Sequence, residues 1–374
     1  MPPLEVPFAN LRRATQALRA DLDAATARVL DSGWFLLGTE GESFEHEFAD
    51  ELCIGHAVGV ASGTDAIEIA LRALDVGPGD EVVTQANTCV PTVAAVERTG
   101  ATPVLCDVDG DTGTIDPESL SAACGPRTKA IVPVHLYGQI GELDAVLQIA
   151  AARGVAVVED CAQAHLATLR GRLAGTWGAL GAFSFYPTKN LGALGDGGAV
   201  VTGDGDLDRR LRRLRTYGQA DRYHHVERGV NSRLDELQAA FLRAKLPHLR
   251  AWHERRNEIA AIYDDALADT PVRPLGRLAE RTHAFHLYVV RAPDRDALGE
   301  ALARQGVRTL VHYPRPVHLH EGYRELGDGR VPLARAELLA RQVISLPLYP
   351  ELTDEQVAHV AATVRAAALA TATA

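Results

Sequence analysis

One lysine in this chain is placed where it could do covalent chemistry. The segment FYPTKNLGALGDGG, residues 185–198, sets Lys189 among glycines and close to the phenolic side chain of Tyr186. A lysine amine condenses with carbonyl groups, and it does so best when partial burial makes its neutral form accessible. The same spacing also fits a surface lysine in a glycine-rich turn. Other segments of the chain help to distinguish a reactive lysine from a surface one.

A carboxylate precedes this lysine at the end of a predicted strand. The run GVAVVED, residues 154–160, is short and apolar and ends in Asp160; in open α/β sheets ligands bind at the carboxyl ends of the strands. A loop and a returning strand, GAFSFY, can bring Lys189 back to the same edge. With pyridoxal phosphate on the lysine, Asp160 would keep the pyridine nitrogen protonated, which makes the ring an electron sink for transamination. Asp160 as a cap for the following helix is the alternative.

A third segment has the pattern of an anion site. In AVGVASGTDAIEIALRAL an apolar strand is followed by the turn Ser62, Gly63, Thr64 and by a helix with apolar residues at helical spacing. Backbone N–H groups and the positive end of a helix favour phosphate at such a turn. The Gly-Lys-Ser/Thr of a P-loop is absent. A capped helix without a ligand is the other interpretation.

The elements that must position these residues alternate along the first 205 residues. Strand candidates lie near residues 57, 82, 104, 131, 155, 183 and 199 and are separated mostly by helical segments, which predicts a mainly parallel sheet. The chain is helical and charged from 206 to about 256. A smaller α/β unit is expected from about His283, with strands FHLYVVR and GVRTLVHY and a last helix from about Thr353.

Composition favours a cytoplasmic enzyme and excludes several other classes. The 374 residues are 47% hydrophobic, and 38 Lys and Arg against 49 Asp and Glu give a net charge of −11. No basic patch interleaves with aromatic residues, so nucleic acid is not expected as a partner. The five cysteines are scattered without a C-x-x-C and are interpreted as reduced thiols. The N-terminus shows no secretory pattern, and no apolar stretch approaches the roughly 18 residues of a membrane span.

Two other site types have weaker support in the sequence. His318 and His320 are spaced to share one face of a strand, but they lack the partner pattern of a metal site, so no metal is expected. The glycines at 192–198 do not form G-x-G-x-x-G, and a strand follows them where a dinucleotide fold has one before. A nicotinamide dehydrogenase is therefore disfavoured.

Nearly the whole chain resembles one family of enzymes. It is similar to the DegT/DnrJ/EryC1/StrS sugar aminotransferases, fold-type I pyridoxal phosphate enzymes that act on nucleotide-linked keto-sugars. The matching segments, in order, are FLLGTEGESFEHEFAD, SGTDAIEIAL, GDEVVTQANT, VPVHLYGQ, EDCAQAH, SFYPTKNLGALGDGGA, RTYG, GVNSRLDELQAA and VHYPRPVHLH. Each segment alone is weak, and their combination in this order is specific.

The resemblance implies an α/β fold like that of aspartate aminotransferase. A large domain, residues 1–250, would carry a mainly parallel seven-stranded mixed sheet, and residues 251–374 would form a smaller C-terminal α/β domain. Lys189 would form the Schiff base and act as general acid and base, with Asp160 on the pyridine nitrogen. The residues implied to bind the cofactor are Gly63, Thr64, Cys89, Asp160, Gln163, Ser184, Lys189 and Asn231.

Three of these implied roles are more specific. Gln163 would hydrogen-bond the phenolic oxygen of the cofactor. Asn231 would reach the phosphate from the neighbouring subunit, which requires a homodimer with shared active sites. Cys89 stands where many relatives carry an aromatic residue on the pyridine ring, and a thiol can pack there as a small polarizable group.

Within the family, the lysine segment looks most like the branch that aminates C3 of dTDP-linked 3-keto-6-deoxyhexoses. L-Glutamate would be the amino donor, through a ping-pong mechanism with a pyridoxamine phosphate form. Tyr186, His312 and Tyr313 would face the sugar, and Arg222 of the other subunit would face the diphosphate. A C4-aminating enzyme and a non-catalytic regulatory protein are the alternatives. Tyr186 as a core aromatic and Arg222 as part of a solvated loop also stay open.

Overall fold

A seven-stranded mixed sheet forms the centre of the molecule. The computed structural model describes residues 4–371. The strands of the main sheet are β1 His56–Val60, β2 Glu81–Gln85, β3 Thr102–Cys106, β4 Thr128–Val132, β5 Ala156–Asp160, β6 Leu180–Ser184 and β7 Gly198–Thr202. All seven lie where the sequence predicts a strand, because each is a short apolar run closed by turn residues.

The sheet is parallel except at one strand. Its order is β1-β7-β6-β5-β4-β2-β3. Strand β7 is antiparallel to both β1 and β6, and the other neighbours pair in parallel. The carboxyl ends of β5 and β6 therefore lie at the same edge, where parallel α/β sheets bind ligands. The fold predicted for the large unit is confirmed.

Helices cover both faces of this sheet. The helices are α1 Leu11–Ala17, α2 Arg19–Ser32, α3 Thr39–Glu51, α4 Gly63–Ala73, α5 Val90–Arg98, α6 Pro117–Ala123, α7 Leu143–Arg153, α8 Gly205–Leu214, α9 Glu236–Lys245, α10 Leu249–Leu267, α11 Arg295–Arg304, α12 Ala334–Gln342 and α13 Asp354–Thr371. Because strand side chains alternate, Val157 packs with Phe44 and Phe48 on one face, and Val158 packs with Ile69 of α4 on the other.

The C-terminal part carries a small antiparallel sheet. Its strands, in spatial order, are β8 Arg273–Pro274, β9 Tyr288–Arg291 and β10 Val343–Leu346. A buried cluster joins it to α10, α11 and α13 and includes Val6 from the start of the chain, whose N–H bonds Gly306 O at 2.9 Å. The division into domains at residue 250 stays a prediction.

One expected strand is absent from this unit. The segment 306–313 makes single bridges, Val307 with Val6 and Leu310 with Ser345, in place of a continuous ladder. Its backbone is shared between two partners that lie far apart in sequence, so neither pairing extends. The prediction of a strand at GVRTLVHY is wrong.

Shorter paired segments complete the fold. They are Thr168–Leu169, Arg172–Leu173 and Arg281–Thr282 in one small sheet, and Gln219–Asp221 with His224–His225 in an exposed hairpin. Within residues 4–371, no helix is both long enough and apolar enough to cross a membrane.

Candidate active site

Lys189 lies in a tight turn directly after β6. Its N–H donates to Tyr186 O at 2.8 Å, and the N–H of Ala193 returns to Phe185 O at 2.8 Å. A methyl group at Gly192 would lie 2.5 Å from Pro187 O, so the turn closes only around a glycine. Burial lowers the pKa of Lys189, and the negative charge of Asp160 acts in the opposite direction. The neutral amine is therefore accessible, as nucleophilic chemistry requires.

Asp160 ends β5, and its carboxylate is 4% exposed. Oδ2 accepts from Thr92 Oγ1 at 2.8 Å, and Oδ1 accepts from the N–H of Ala162 at 3.0 Å. Burial raises the pKa of Asp160, and these two donors together with the charge of Lys189 offset that only in part. A buried carboxylate bonded only by neutral donors favours a cationic partner.

The predicted anion turn and Ser184 lie against each other. Ser62 caps α4, its Oγ accepting from the N–H of Asp65 at 3.1 Å. A methyl group at Gly63 would lie 2.6 Å from Ser184 Cβ, and one at Gly198 would lie 2.4 Å from Ser62 O. Only glycine at both positions lets the helix start approach the ends of β6 and β7. The first amides of α4, with Thr64 and Ser184, thus form one cradle of donors at a positive helix end.

Gln163, Tyr313 and Cys89 form a second group of contacting side chains. Gln163 Oε1 accepts from the N–H of Tyr137 at 2.6 Å, and its Nε2 donates to the Tyr313 hydroxyl at 3.2 Å. The same hydroxyl contacts the thiol of Cys89. Burial raises the pKa of Cys89, so the thiol is neutral and can serve as a packing surface.

His312 lies next to Tyr313 and is held from two sides. Its Nδ1 bonds Ser345 Oγ at 2.8 Å, and its ring stacks on Phe8 at 5.5 Å. Burial, with the nearby charge of Lys189, lowers the pKa of His312 to about 4. The imidazole is therefore neutral at neutral pH and can offer a hydrogen bond without a charge.

Three predicted residues lie at the surface of the protomer. Tyr186 is 53% exposed. Asn231 is exposed beside its bridge partner Thr216, and the Arg222 guanidinium lies 5.2 Å from the ring of exposed Tyr223. Tyr186 belongs to the lysine turn, where its carbonyl accepts from the N–H of Lys189, but the side chains of all three residues are exposed. Their predicted contacts to cofactor and substrate stay predictions.

The histidine pair considered for metal lies in another kind of element. His318 belongs to a 3₁₀ turn, Val317–Leu319, and its Nε2 bonds Glu337 Oε1 at 3.1 Å; His320 follows as the cap. The expected strand is wrong. A second group of possible metal ligands, His135, Glu159 and Cys161, is fully buried and has its ligand atoms close together. Glu159 already accepts four hydrogen bonds there, which leaves no free lone pair for a cation.

The sequence interpretation missed three residues that hold the site together. Thr92 bonds Asp160, and the Tyr137 amide bonds Gln163 while its hydroxyl donates to His312 O. Glu159 fixes the loop before β6 through the amides of Gly175, Trp177 and Gly178. The sequence could have identified Glu159, which lies directly before Asp160 at the end of a predicted buried strand. A buried carboxylate requires its own hydrogen-bond donors.

The chain is similar to several known proteins. A transaminase for dTDP-3-amino-3,4,6-trideoxy-alpha-D-glucose from Streptomyces venezuelae is 50% identical over 361 residues, covering 96% of this chain and 95% of that protein. The erythromycin biosynthesis sensory transduction protein EryC1 of Saccharopolyspora erythraea is 50% identical over 372 residues, covering 98% of this chain and all of that protein. The crystal structure of S. venezuelae DesV in complex with a ketimine intermediate superposes with a TM-score of 0.95, at 49% identity, covering 98% of this chain and 99% of that one.

A family model matches residues 16–365, which is almost the entire chain. The resemblance inferred from the sequence motifs is thereby confirmed, as is the fold that it implied. The chain belongs to the DegT/DnrJ/EryC1/StrS aminotransferase family.

Proposed function

We propose that this protein is a pyridoxal phosphate-dependent aminotransferase that moves the amino group of L-glutamate to C3 of a dTDP-linked 3-keto-6-deoxyhexose. The observation that carries the proposal is that Lys189 and Asp160 lie within electrostatic reach of each other at one buried sheet edge, beside the helix-start cradle. The similarity to a dTDP-3-amino-sugar transaminase supports the choice of substrate.

The residues present fit the cofactor. Lys189 would carry the cofactor, and Asp160 would face its pyridine nitrogen. The positive charge of that nitrogen would compensate the negative charge of the buried Asp160 carboxylate. Gly63, Thr64 and Ser184 would hold the phosphate in the cradle. Gln163, which lies near Cys89, would hydrogen-bond the phenolic oxygen of the cofactor. When bound, the cofactor supplies an electron sink for the carbanion that transamination requires.

Proton transfer falls to Lys189. Because burial lowers the pKa of this amine, it can accept the proton that leaves the α-carbon of the amino donor. The same amine can return a proton to the sugar carbon that receives the amino group. One base serving two half-reactions predicts ping-pong kinetics, with parallel lines when initial rates are measured against both substrates. Intersecting lines would contradict the scheme.

The sugar would lie against the wall formed by His312, Tyr313 and Tyr186. The neutral imidazole and the phenols offer hydrogen bonds for hydroxyl groups without adding charge. Tyr313 is already oriented by Gln163, at 3.2 Å. Tyr186 is half exposed, so the site is open on that side toward the substrate or a second subunit.

A homodimer with shared sites would close this opening. Apolar side chains that expose half or more of their surface are Trp34, Phe35, Leu30, Tyr186, Tyr217, Tyr223, Val226 and Leu310. The loop after α2 that carries the first two is fixed, since the carboxylate of Glu236 accepts from the amides of Gly38 and Gly41, each at 2.9 Å. A large exposed apolar surface on an ordered loop favours a protein partner.

Asn231 and Arg222 would act from the partner of such a dimer. Their exposure in the single protomer supports this placement. Subunit exchange tests it: Lys189→Ala is mixed with a variant that combines Asn231→Ala and Arg222→Ala. Each mixed dimer then has one complete site, so activity should rise from near zero to roughly a quarter of wild type. Exchange confirmed by mass, with activity at the parents' level, would contradict the cross-subunit roles.

The substrate is tested directly. The aminated cofactor form of the purified protein is offered a panel of nucleotide-linked keto-sugars, and NMR locates the new amine. Amination at C3 of the dTDP-linked sugar is the expected result. Amination at C4 would identify the other branch of the family, and a protein that binds cofactor without transferring nitrogen to any sugar would indicate a regulatory role.

A further inference from the structure

A partly open cavity of about 300 Å³ lies beside Lys189. It lies between α1, the lysine turn, α10 and the segment that follows β10. Its apolar wall includes Phe8, Leu11, Leu310 and Leu348. Asp160, Gln163 and Ser184 take no part in its lining, so this space is distinct from the cofactor cradle while sharing the reactive lysine with it.

Two further cations, Lys245 and Arg256, line this cavity. Lys245 Nζ donates to Gly192 O at 2.6 Å. Arg256 is 6% exposed and donates from Nη1 to two backbone carbonyls, each at 3.0 Å, while its Nε has no acceptor. Among residues 4–371 no carboxylate forms a salt bridge with either group. Buried cations without carboxylate partners are costly, and they attract an anion.

The electrostatics of these two cations favour an anion beside them. Burial lowers the pKa of Lys245 to about 8 and that of Arg256 to about 10. Glu351 also lines the cavity and raises both values, yet both remain lowered. A bound carboxylate would supply the compensation that Glu351 does not.

Lysine is rare in this chain, and Lys245 is one of the few. Of 38 basic residues only three are lysines, Lys129, Lys189 and Lys245, and two of these line the same cavity. Lysine differs from arginine in being a compact point charge on a flexible stem. That property suits a cation that must reach a small carboxylate inside a cavity.

We propose that this cavity binds the distal carboxylate of a dicarboxylic amino donor, with Lys245 and Arg256 as its counter-ions. The assignment rests on the proposed aminotransferase function. The donor's α-carbon must lie at Lys189 for proton transfer, and its distal carboxyl carbon is then about 4 Å further along the chain, the span of three bonds. The apolar wall suits the methylene groups between them.

Size favours the amino donor over the nucleotide-sugar. A volume of about 300 Å³ is at the lower end for small-molecule sites, roughly 300–1,000 Å³. It accommodates a five-carbon dicarboxylate and is too small for a sugar with a nucleoside diphosphate. The nucleotide-sugar would therefore enter from the open side near Tyr186.

Binding of glutarate tests the site without catalysis. Calorimetry would compare glutarate with its monoamide on the wild type and on Lys245→Met. The wild type should bind glutarate at least about tenfold more tightly than the monoamide, as expected for a desolvated charge pair. Lys245→Met should lose that preference, whereas Lys129→Met, at an exposed lysine of β4, should keep it.

A second variant guards against misfolding of Lys245→Met. Ala14→Phe narrows the cavity from α1 without touching either cation, and it should also weaken glutarate binding. If Lys245→Met folds and still prefers glutarate over the monoamide as the wild type does, the assignment is wrong. If Lys245→Met misfolds, unchanged glutarate affinity in Ala14→Phe overturns it instead.

The first half-reaction separates this proposal from the proposed function. The ratio of rates with glutamate and with 2-aminopentanoate, which lacks the distal carboxylate, should fall at least tenfold in Lys245→Met. Suppose that the wild type aminates its cofactor from glutamate and that Lys245→Met leaves the ratio of the two rates unchanged. That result overturns the carboxylate site alone. A wild type that binds glutarate through Lys245 but accepts nitrogen from no amino acid supports the site and contradicts the aminotransferase function.

Discussion

Replacing Glu159 with glutamine should destabilise the protein although the side chain keeps its shape. The Glu159 carboxylate is fully buried. Oε1 accepts from the amides of Trp177 and Gly178 at 2.7 and 2.8 Å, and Oε2 accepts from the amide of Gly175 and from His135 Nε2, both at 2.9 Å. Every neighbour is a donor, so an –NH₂ group in place of either oxygen faces donors.

The cost follows from which oxygen the amide replaces. At the Oε1 position two backbone N–H groups would lose their acceptor. At the Oε2 position only Gly175 loses one, because His135 can move its proton to Nδ1, which has no partner now, and accept through Nε2. One unsatisfied buried N–H costs about 1–3 kcal/mol. Glu159→Gln should lose about that much stability, and Glu159→Ala, which strands three amides, about 3 kcal/mol or more.

Urea unfolding at pH 7 measures the effect as a shift of the midpoint at constant slope. Glu355→Gln, at an exposed glutamate of α13, is the matched control. Burial alone raises the pKa of Glu159, but the donors, led by His135, bring it below its ordinary value. The stabilisation is therefore present above about pH 4.3, the ordinary pKa, and is lost as the pH falls through the lowered value. A Gln variant with the wild-type midpoint at pH 7 would refute the reasoning.

Three further outcomes are expected at the site. Lys189→Ala should fold but lack the absorbance of lysine-bound cofactor, and multiple turnover in that variant would remove Lys189 from its role. Asp160→Asn should lower kcat at least about a hundredfold, the scale of a general acid–base contribution; near-normal kcat would mean that another group protonates the ring. Gly63→Ala forces a methyl group to 2.6 Å from Ser184 Cβ, so phosphate protection against thermal unfolding should disappear. Gly203→Ala, at an open position after β7 without a positive φ, should retain that protection.

Much of the active site follows from local sequence. Lys189, Asp160 and the turn at Gly63 were identified because each lies at the end of a short apolar run, where the pattern itself marks a strand end. The seven strands of the main sheet were predicted for the same reason. These features depend on neighbours within a few residues, which the sequence displays directly.

The failures share a different cause. The segment 306–313 has the composition of a strand, but its bonds go to Val6 and Ser345, which no local pattern reveals. His318 was placed on a strand by its spacing and lies in a 3₁₀ turn. In both cases tertiary contacts overrode a preference that is weak in short segments.

The sequence by itself determined the chemistry that this chain can offer: an amine, a carboxylate and an anion turn, each at the end of a predicted element. Only the tertiary structure decided how they are used. It packs Gly63 against Ser184 and orients Tyr313 through Gln163. It also places Lys245 and Arg256 in one cavity, where neither forms a salt bridge with any carboxylate in the described part of the chain. The physical reason is that burial and distance set the pKa and the partners of a charged group, and both arise from residues that meet only when the chain folds.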